Sequence, residues 1–104
     1  MKVEVTEEDI QNGYQEVRAK RKFRAECCAV SQAVLRTVDG VYSVQTSAQY
    51  AHLWYGDGRV ETYRMPREGQ VFINQFDDWS RGGSGWDNKP SPTSFELTRT
   101  EPRI

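Results

Sequence analysis

Histidine is almost missing from this chain: His52 stands alone among 104 residues. General acid–base chemistry near neutral pH usually recruits histidine, or a carboxylate or lysine tuned by burial. His52 lies between Ala51 and Leu53 in an alternating stretch, which reads as a sheet-face side chain rather than a catalytic base. Cysteine is equally scarce. Cys27 and Cys28 are the only two, and they are adjacent. On a helix such neighbours point about 100° apart, so they cannot bridge without distortion. One histidine and two adjacent cysteines do not supply the spaced pairs of a zinc site, so no metal and no cofactor is expected. No run approaches the ~20 apolar residues of a membrane span. Met1-Lys2-Val3-Glu4-Val5 lacks the apolar run of a signal peptide, so a reduced, cytoplasmic setting is expected. Net charge is also lacking, at −1 with a pI near 5.8, which argues against bulk electrostatic binding of nucleic acid.

Against that neutral background, positive charge is concentrated. Arg18, Lys20, Arg21, Lys22 and Arg24 fall within a seven-residue window. A concentrated patch lets a small protein present a defined surface to an anionic ligand. Aromatic residues make up 12% of the chain, enough for a core built from a few large rings. The length fits one domain over residues 1–104.

The pattern along the chain predicts an α+β fold: a small antiparallel sheet packed against two main helices, in the order β-α-α-β-β-β-α-β. Lys2–Val5 alternates as a first strand. Thr6 caps a short helix whose first turn holds Glu7, Glu8 and Asp9, and Gly13 is placed to end it. Residues 14–24 fit either a loop or the solvated start of the next helix. From Ala25 to Val38, Val30, Val34 and Val38 make one apolar stripe at helical spacing, with Cys27 three residues before it. Asp39-Gly40 stops it. Val41–Gln45, Ala48–Tyr55 and Arg59–Met65 form a meander turning at Gly56-Asp57-Gly58. Pro66 opens a helix in which Phe72, Phe76 and Trp79 share a face. A loop spans 80–93, Phe95–Thr98 is a last strand, and Thr100–Ile104 is a frayed tail. Val30, Val34, Leu53, Phe72, Phe76 and Phe95 are the expected core.

Four pieces occur in a recurring order. They are Thr6-Glu7-Glu8-Asp9-Ile10 with Gly13, Cys28-Ala29-Val30-Ser31-Gln32-Ala33, Met65-Pro66 with Phe72-Ile73 and Phe76-Asp77, and Pro92 with Phe95-Glu96-Leu97. This arrangement resembles a group of small bacterial and phage proteins with the pattern T-x-E-x-I-x-x-G, C-P-V-A-L-A, P-x-x-x-x-x-F-I-x-x-F-D and P-F-x-F-E-L. This chain departs from it in having Ala29, Ser31 and Gln32 within the second piece, and in the basic run before it. The resemblance implies a phage or prophage setting, hence the cytoplasm of a bacterial host, and implies no reaction.

Each remaining feature has a structural reading. Cys28 on an apolar helix behaves as a small hydrophobe. Cys27 lies nearer the helix start, where the dipole and Arg24 would lower its pKa, so a Cys27–His52 pair is the form an enzyme reading takes. Asp77-Asp78 is a solvated helix end. Gly82-Gly83-Ser84-Gly85 lacks the Lys-Ser/Thr of a phosphate loop. Trp86 stands in the 80–93 loop and either folds onto the core or anchors an interface. The basic run suits an acidic protein face or phosphates. Base stacking would need aromatic side chains, for which Tyr50, Trp54 and Tyr63 are candidates. The expected function is therefore a small non-enzymatic interaction protein that binds a macromolecular partner, protein or ribonucleoprotein, through Arg18–Arg24 and the Trp86 loop. An anti-CRISPR-type inhibitor of a host defence complex is one such protein. A nucleic-acid-binding accessory protein is the alternative, and a cysteine-dependent enzyme a third.

Overall fold

A computed structural model describes residues 1–20, 23–81 and 89–100, with Arg24 described by its backbone alone. Its elements are β1 (Lys2–Val5), α1 (Glu7–Ala19), the single turn α2 (Arg24–Cys27), α3 (Ala29–Thr37), β2 (Val41–Thr46), β3 (Tyr50–Tyr55), β4 (Val60–Arg64), α4 (Arg67–Ser80), β5 (Thr93–Glu96) and β6 (Thr98–Arg99). The expected α+β class holds, with two antiparallel sheets: β1-β5, and a four-stranded sheet in the order β2-β3-β4-β6.

The start of α1 is the one the sequence predicts. The Thr6 hydroxyl accepts from the Asp9 backbone N–H at 3.2 Å, and the Asp9 carboxylate accepts from the Thr6 N–H at 2.9 Å. Asp9 does more than cap. It is buried and takes both Nε and an Nη of Arg36 on α3, at 3.1 and 2.9 Å, while the same Nη donates to the Glu4 carbonyl at 3.0 Å. Burial pushes the Asp9 carboxyl up, but the bonds from Arg36 and Thr6 outweigh it and hold the group below the ordinary carboxylate range.

The end of α1 differs from the expectation. Gly13 does not stop the helix, which continues to Ala19 and so takes in most of residues 14–24. Gly13 sits at a crossing instead. A Cβ there would lie 2.7 Å from the Ala29 backbone nitrogen, so glycine lets α1 approach the start of α3 closely. Beyond it, the Tyr14 ring packs on Trp79 of α4 at a centroid distance of 4.4 Å.

The apolar stretch Ala25–Val38 also differs. It breaks at Cys28, whose extended backbone (φ −65°, ψ 170°) makes it the N-cap of α3. Val30 and Val34 are fully buried, while Val38 is the C-cap and half-buried. The meander is as predicted, with Leu53 pairing Val44 on one side and Glu61 on the other. Gly58 at φ +92° donates to the Tyr55 carbonyl and closes the β3–β4 turn. In α4, Phe72, Ile73, Phe76 and Trp79 are buried, while Val71 on the opposite side is exposed. The six predicted core residues are all buried.

The last strand is split. Phe95 pairs with Val3 in the small sheet. The Leu97 N–H then donates to the Met1 carbonyl at 2.8 Å, and the chain crosses to the larger sheet, where Thr98 pairs with Arg64 and Arg99 with Tyr63. Thr100, expected in the frayed tail, is held by its N–H and hydroxyl on the Thr62 carbonyl. The rest of that tail lies outside the described residues.

Strand alternation sorts the larger sheet into two faces. Val44, Ala51, Leu53, Tyr55, Glu61 and Tyr63 are buried on the helix side. Ser43, Gln45, Tyr50, His52, Trp54, Val60, Thr62 and Arg64 are half-buried or exposed on the other.

The Gly13 crossing gives a prediction with a decisive sign. Ala is favoured over Gly in a helix by about 1 kcal/mol, while forcing an extra carbon into a packed crossing costs about 1–3 kcal/mol. The atoms met at Gly13 are backbone and cannot turn aside, so the cost exceeds the gain and Gly13→Ala is expected to destabilise the protein by up to about 2 kcal/mol net. Equal or greater stability in urea melts would show that α1 and α3 do not meet this closely.

Candidate functional site

The described part of the basic run lies at the C-terminal end of α1. Arg18 is in the last turn and exposed; Lys20 is the left-handed C-cap, at φ 57°. Cations there complement the helix dipole. Arg18 is also positioned sideways, its guanidinium 5.5 Å from the centroid of the Tyr14 ring that packs on Trp79. This packing brings in a residue far along the chain. Arg81, the C-cap of α4, joins Val17, Arg18, Lys20 and Ser80 around a surface cleft of about 340 Å³. Among the described residues, no carboxylate lies within ion-pair distance of Arg18, Lys20 or Arg81. Sequence reasoning missed Arg81, because its closeness to Arg18 depends on how α1 and α4 pack. Arg21, Lys22, the Arg24 side chain and Trp86 lie outside the described residues, as does the glycine run 82–85.

The residues weighed for catalysis do not come together. His52 projects from β3 on the open face, where its Nδ1 is 3.0 Å from the Thr62 hydroxyl. Cys27 and Cys28 are free thiols buried on the helix side. Cys28 Sγ lies 2.9 Å from the hydroxyl of Thr46, a residue that pairs with inward-facing Ala51. The sheet thus stands between His52 and Cys28. Cys27 Sγ donates to the Phe23 carbonyl at 3.4 Å. Among the described residues, no group of three or more His, Cys, Asp or Glu is placed to hold a metal ion. Asp77 and Asp78 sit in the last turns of α4, and neither is without a partner.

A second ionic centre was not foreseen. Glu61 of β4 is 7% exposed, on the helix side of the sheet. One carboxylate oxygen accepts from the Tyr55 hydroxyl at 2.6 Å and the Tyr63 hydroxyl at 3.0 Å. The other lies 3.5 Å from Arg59 and 3.2 Å from Arg99, and the Arg59 guanidinium is 4.3 Å from the Tyr55 ring centroid. The Tyr55 hydrogen bond comes first among the causes that keep Glu61 below its ordinary range against the cost of burial. Burial, then the bond to Glu61, pushes the Tyr55 phenol up to about 12. With both oxygens occupied, the cluster fastens β6 to β4 through Arg99. It also removes Tyr63 from the stacking candidates, since that ring is buried here, while Tyr50 and Trp54 stay on the open face.

No protein-family model, curated protein or solved structure matches the chain, so its surfaces are read from their own chemistry.

The Glu61 cluster predicts a pH signature. An unfolded tyrosine titrates near pH ~10. Its raised folded value means that the Tyr55 contribution is fully present below that pH and is lost as pH rises towards about 12. Tyr55→Phe is expected to cost about 1.5–3 kcal/mol near pH 8, the value of a hydrogen bond to a charged group. The gap between wild type and variant should narrow above pH ~10. Urea melts at pH 8, 10 and 11 check this, and a gap independent of pH would contradict it.

Proposed function

We propose that the chain is a non-catalytic binding protein whose basic end, formed by Arg18, Lys20 and Arg81, docks on an acidic face of a protein partner. The observation that carries this reading is the convergence of these cations around one cleft, with no carboxylate to neutralise them among the described residues. Several charges elsewhere are matched: Asp9 with Arg36, Glu7 with Lys89, Asp57 with Arg59, and Glu61 with Arg59 and Arg99. Complementary charge across an interface speeds encounter and rejects wrong partners, whereas exposed charge contributes little to folding. Arg21, Lys22 and Arg24 belong to the same run and would extend the surface. Trp86, close in sequence to Arg81, is the aromatic anchor this reading favours. The resemblance of the four sequence pieces to small bacterial and phage proteins suggests a bacterial cytoplasm as the setting, and within it the partner this reading takes is a host defence complex, inhibited by stoichiometric binding.

Reversing Arg18, Lys20 and Arg81 together to Glu is expected to cut retention of the bound partner from host lysate more than tenfold. The melting temperature should change little. Wild-type retention should fall as salt rises, because exposed attraction decays over about 8–10 Å at physiological ionic strength. The same partner recovered equally by the triple variant and at high salt would overturn the proposal.

A further inference from the structure

The open face of the four-stranded sheet carries a row of rings. Tyr50, His52 and Trp54 project outward from β3 at every second residue, a repeat of about 6.5–7 Å along a strand. Tyr50 and His52 are 6.1 Å apart between centroids and nearly parallel, at 28°; His52 and Trp54 are also 6.1 Å apart, tilted at 57°. The bond between His52 Nδ1 and the Thr62 hydroxyl fixes the central ring. Across the row on β4, Val60, Thr62 and Arg64 stand opposite Trp54, His52 and Tyr50.

The charge on this face is one-sided. Its outward positions on β2, β3 and β4 are Ser43, Gln45, Tyr50, His52, Trp54, Val60, Thr62 and Arg64, none of them acidic, in a chain with 15 acidic residues. Glu61, the one carboxylate on these three strands, turns to the helix side. Glu26 approaches only at the β2 edge, where it accepts from Gln45. Arg64 is exposed beside Tyr50 and has no ion-pair partner among the described residues.

We infer that this face is a stacking platform for an unpaired nucleic-acid strand, with about two or three bases lying on Tyr50, His52 and Trp54 and Arg64 meeting a phosphate. Aromatic rings in register on an open sheet accept bases of any sequence, because every base has a π-face. The absence of acid removes the repulsion that the chain's overall charge would impose. The surface is separate from the basic end, so it goes beyond the function proposed above and can fail without it.

The test uses the whole chain and fluorescein-labelled single strands, U10 and dT10, with a duplex of equal length and a poly-glutamate peptide as controls. Both strands, or one of them if the ribose hydroxyl is read, should bind and quench tryptophan emission, and with Arg18 and Arg81 reversed to Glu the duplex and peptide should bind at least tenfold more weakly. Tyr50→Ala, at an exposed position, should raise Kd about five- to a hundredfold. Arg64→Gln should weaken binding and flatten its salt dependence. Trp54→Ala is read only if its circular dichroism is native, with Tyr50→Ala as the variant that keeps the idea testable. Reversing Arg18 and Arg81 to Glu should leave the Tyr50 effect in place. The inference is overturned if neither strand binds, or if duplex or peptide still binds as well once Arg18 and Arg81 are reversed to Glu, which removes binding at the basic end. It is also overturned if Tyr50→Ala leaves strand affinity unchanged, or if sedimentation shows a dimer that Tyr50→Ala dissociates, which would assign the face to a second copy.

Discussion

The Asp9–Arg36 contact is the constraint on which the helical layer depends. A carboxylate at 2% exposure is costly to bury unless its oxygens are matched, and here they are matched by a guanidinium fork and the Thr6 N–H. One side chain therefore does three things. It starts α1, fixes α1 against α3, and through the Arg36 bond to the Glu4 carbonyl ties both to β1. With that end set, the angle of α1 brings Gly13 onto Ala29, and the next residue, Tyr14, onto Trp79. Arg18 rests on the same Tyr14 ring. The basic end is thus connected by packed side chains to a buried ion pair at the other end of the helix.

The same economy explains how a nearly neutral chain presents charged and uncharged surfaces side by side. Two acids are turned inward and a third is paired at the surface. Asp9 and Glu61 are buried among their partners, and Glu7 at the start of α1 is taken by Lys89. That leaves Arg18, Lys20 and Arg81 around one cleft, and the open sheet face with no acid among its outward positions on β2, β3 and β4. Net charge, the quantity that argued against nucleic acid, averages over these surfaces and conceals both.

What could be read in the sequence was local. The Thr6-x-x-Asp9 cap, the β2–β4 meander and the Phe72, Phe76, Trp79 face each follow from spacing within about four residues, the reach of helical and strand periodicity. What could not be read depends on neighbours distant in sequence. Gly13 looks like a helix end because glycine commonly is one, and only the approach of Ala29 reveals its use at a crossing. The break at Cys28 interrupts a stripe whose apolar periodicity continues through it. Residues 95–98 alternate as one strand, yet Leu97 divides them between two sheets. Arg81 joined Arg18 and Lys20 through tertiary packing alone, and the closing of Tyr55 and Tyr63 on Glu61 depends on β3 and β4 lying side by side under the helices. In the aromatic row the alternation was visible, but which ring set faced solvent depended on where the helices lay.

The crossing at Leu97 also bears on how the molecule is made. β1 leaves the ribosome before the other described strands, and its only described pairing is with β5, so Val3 must wait for Phe95. Until then its strand edge is open, and loop closure across nearly the whole chain must precede the reward of pairing. Gly69 waits as well, since the Phe95 ring lies against it. Residues 93–100 thus act as a late clasp. They complete the small sheet, add the last strand to the large one and deliver Arg99 to Glu61 together. A nascent chain halted before this segment would hold the meander and α4 without either closure, and so carry unpaired strand edges into a crowded cell.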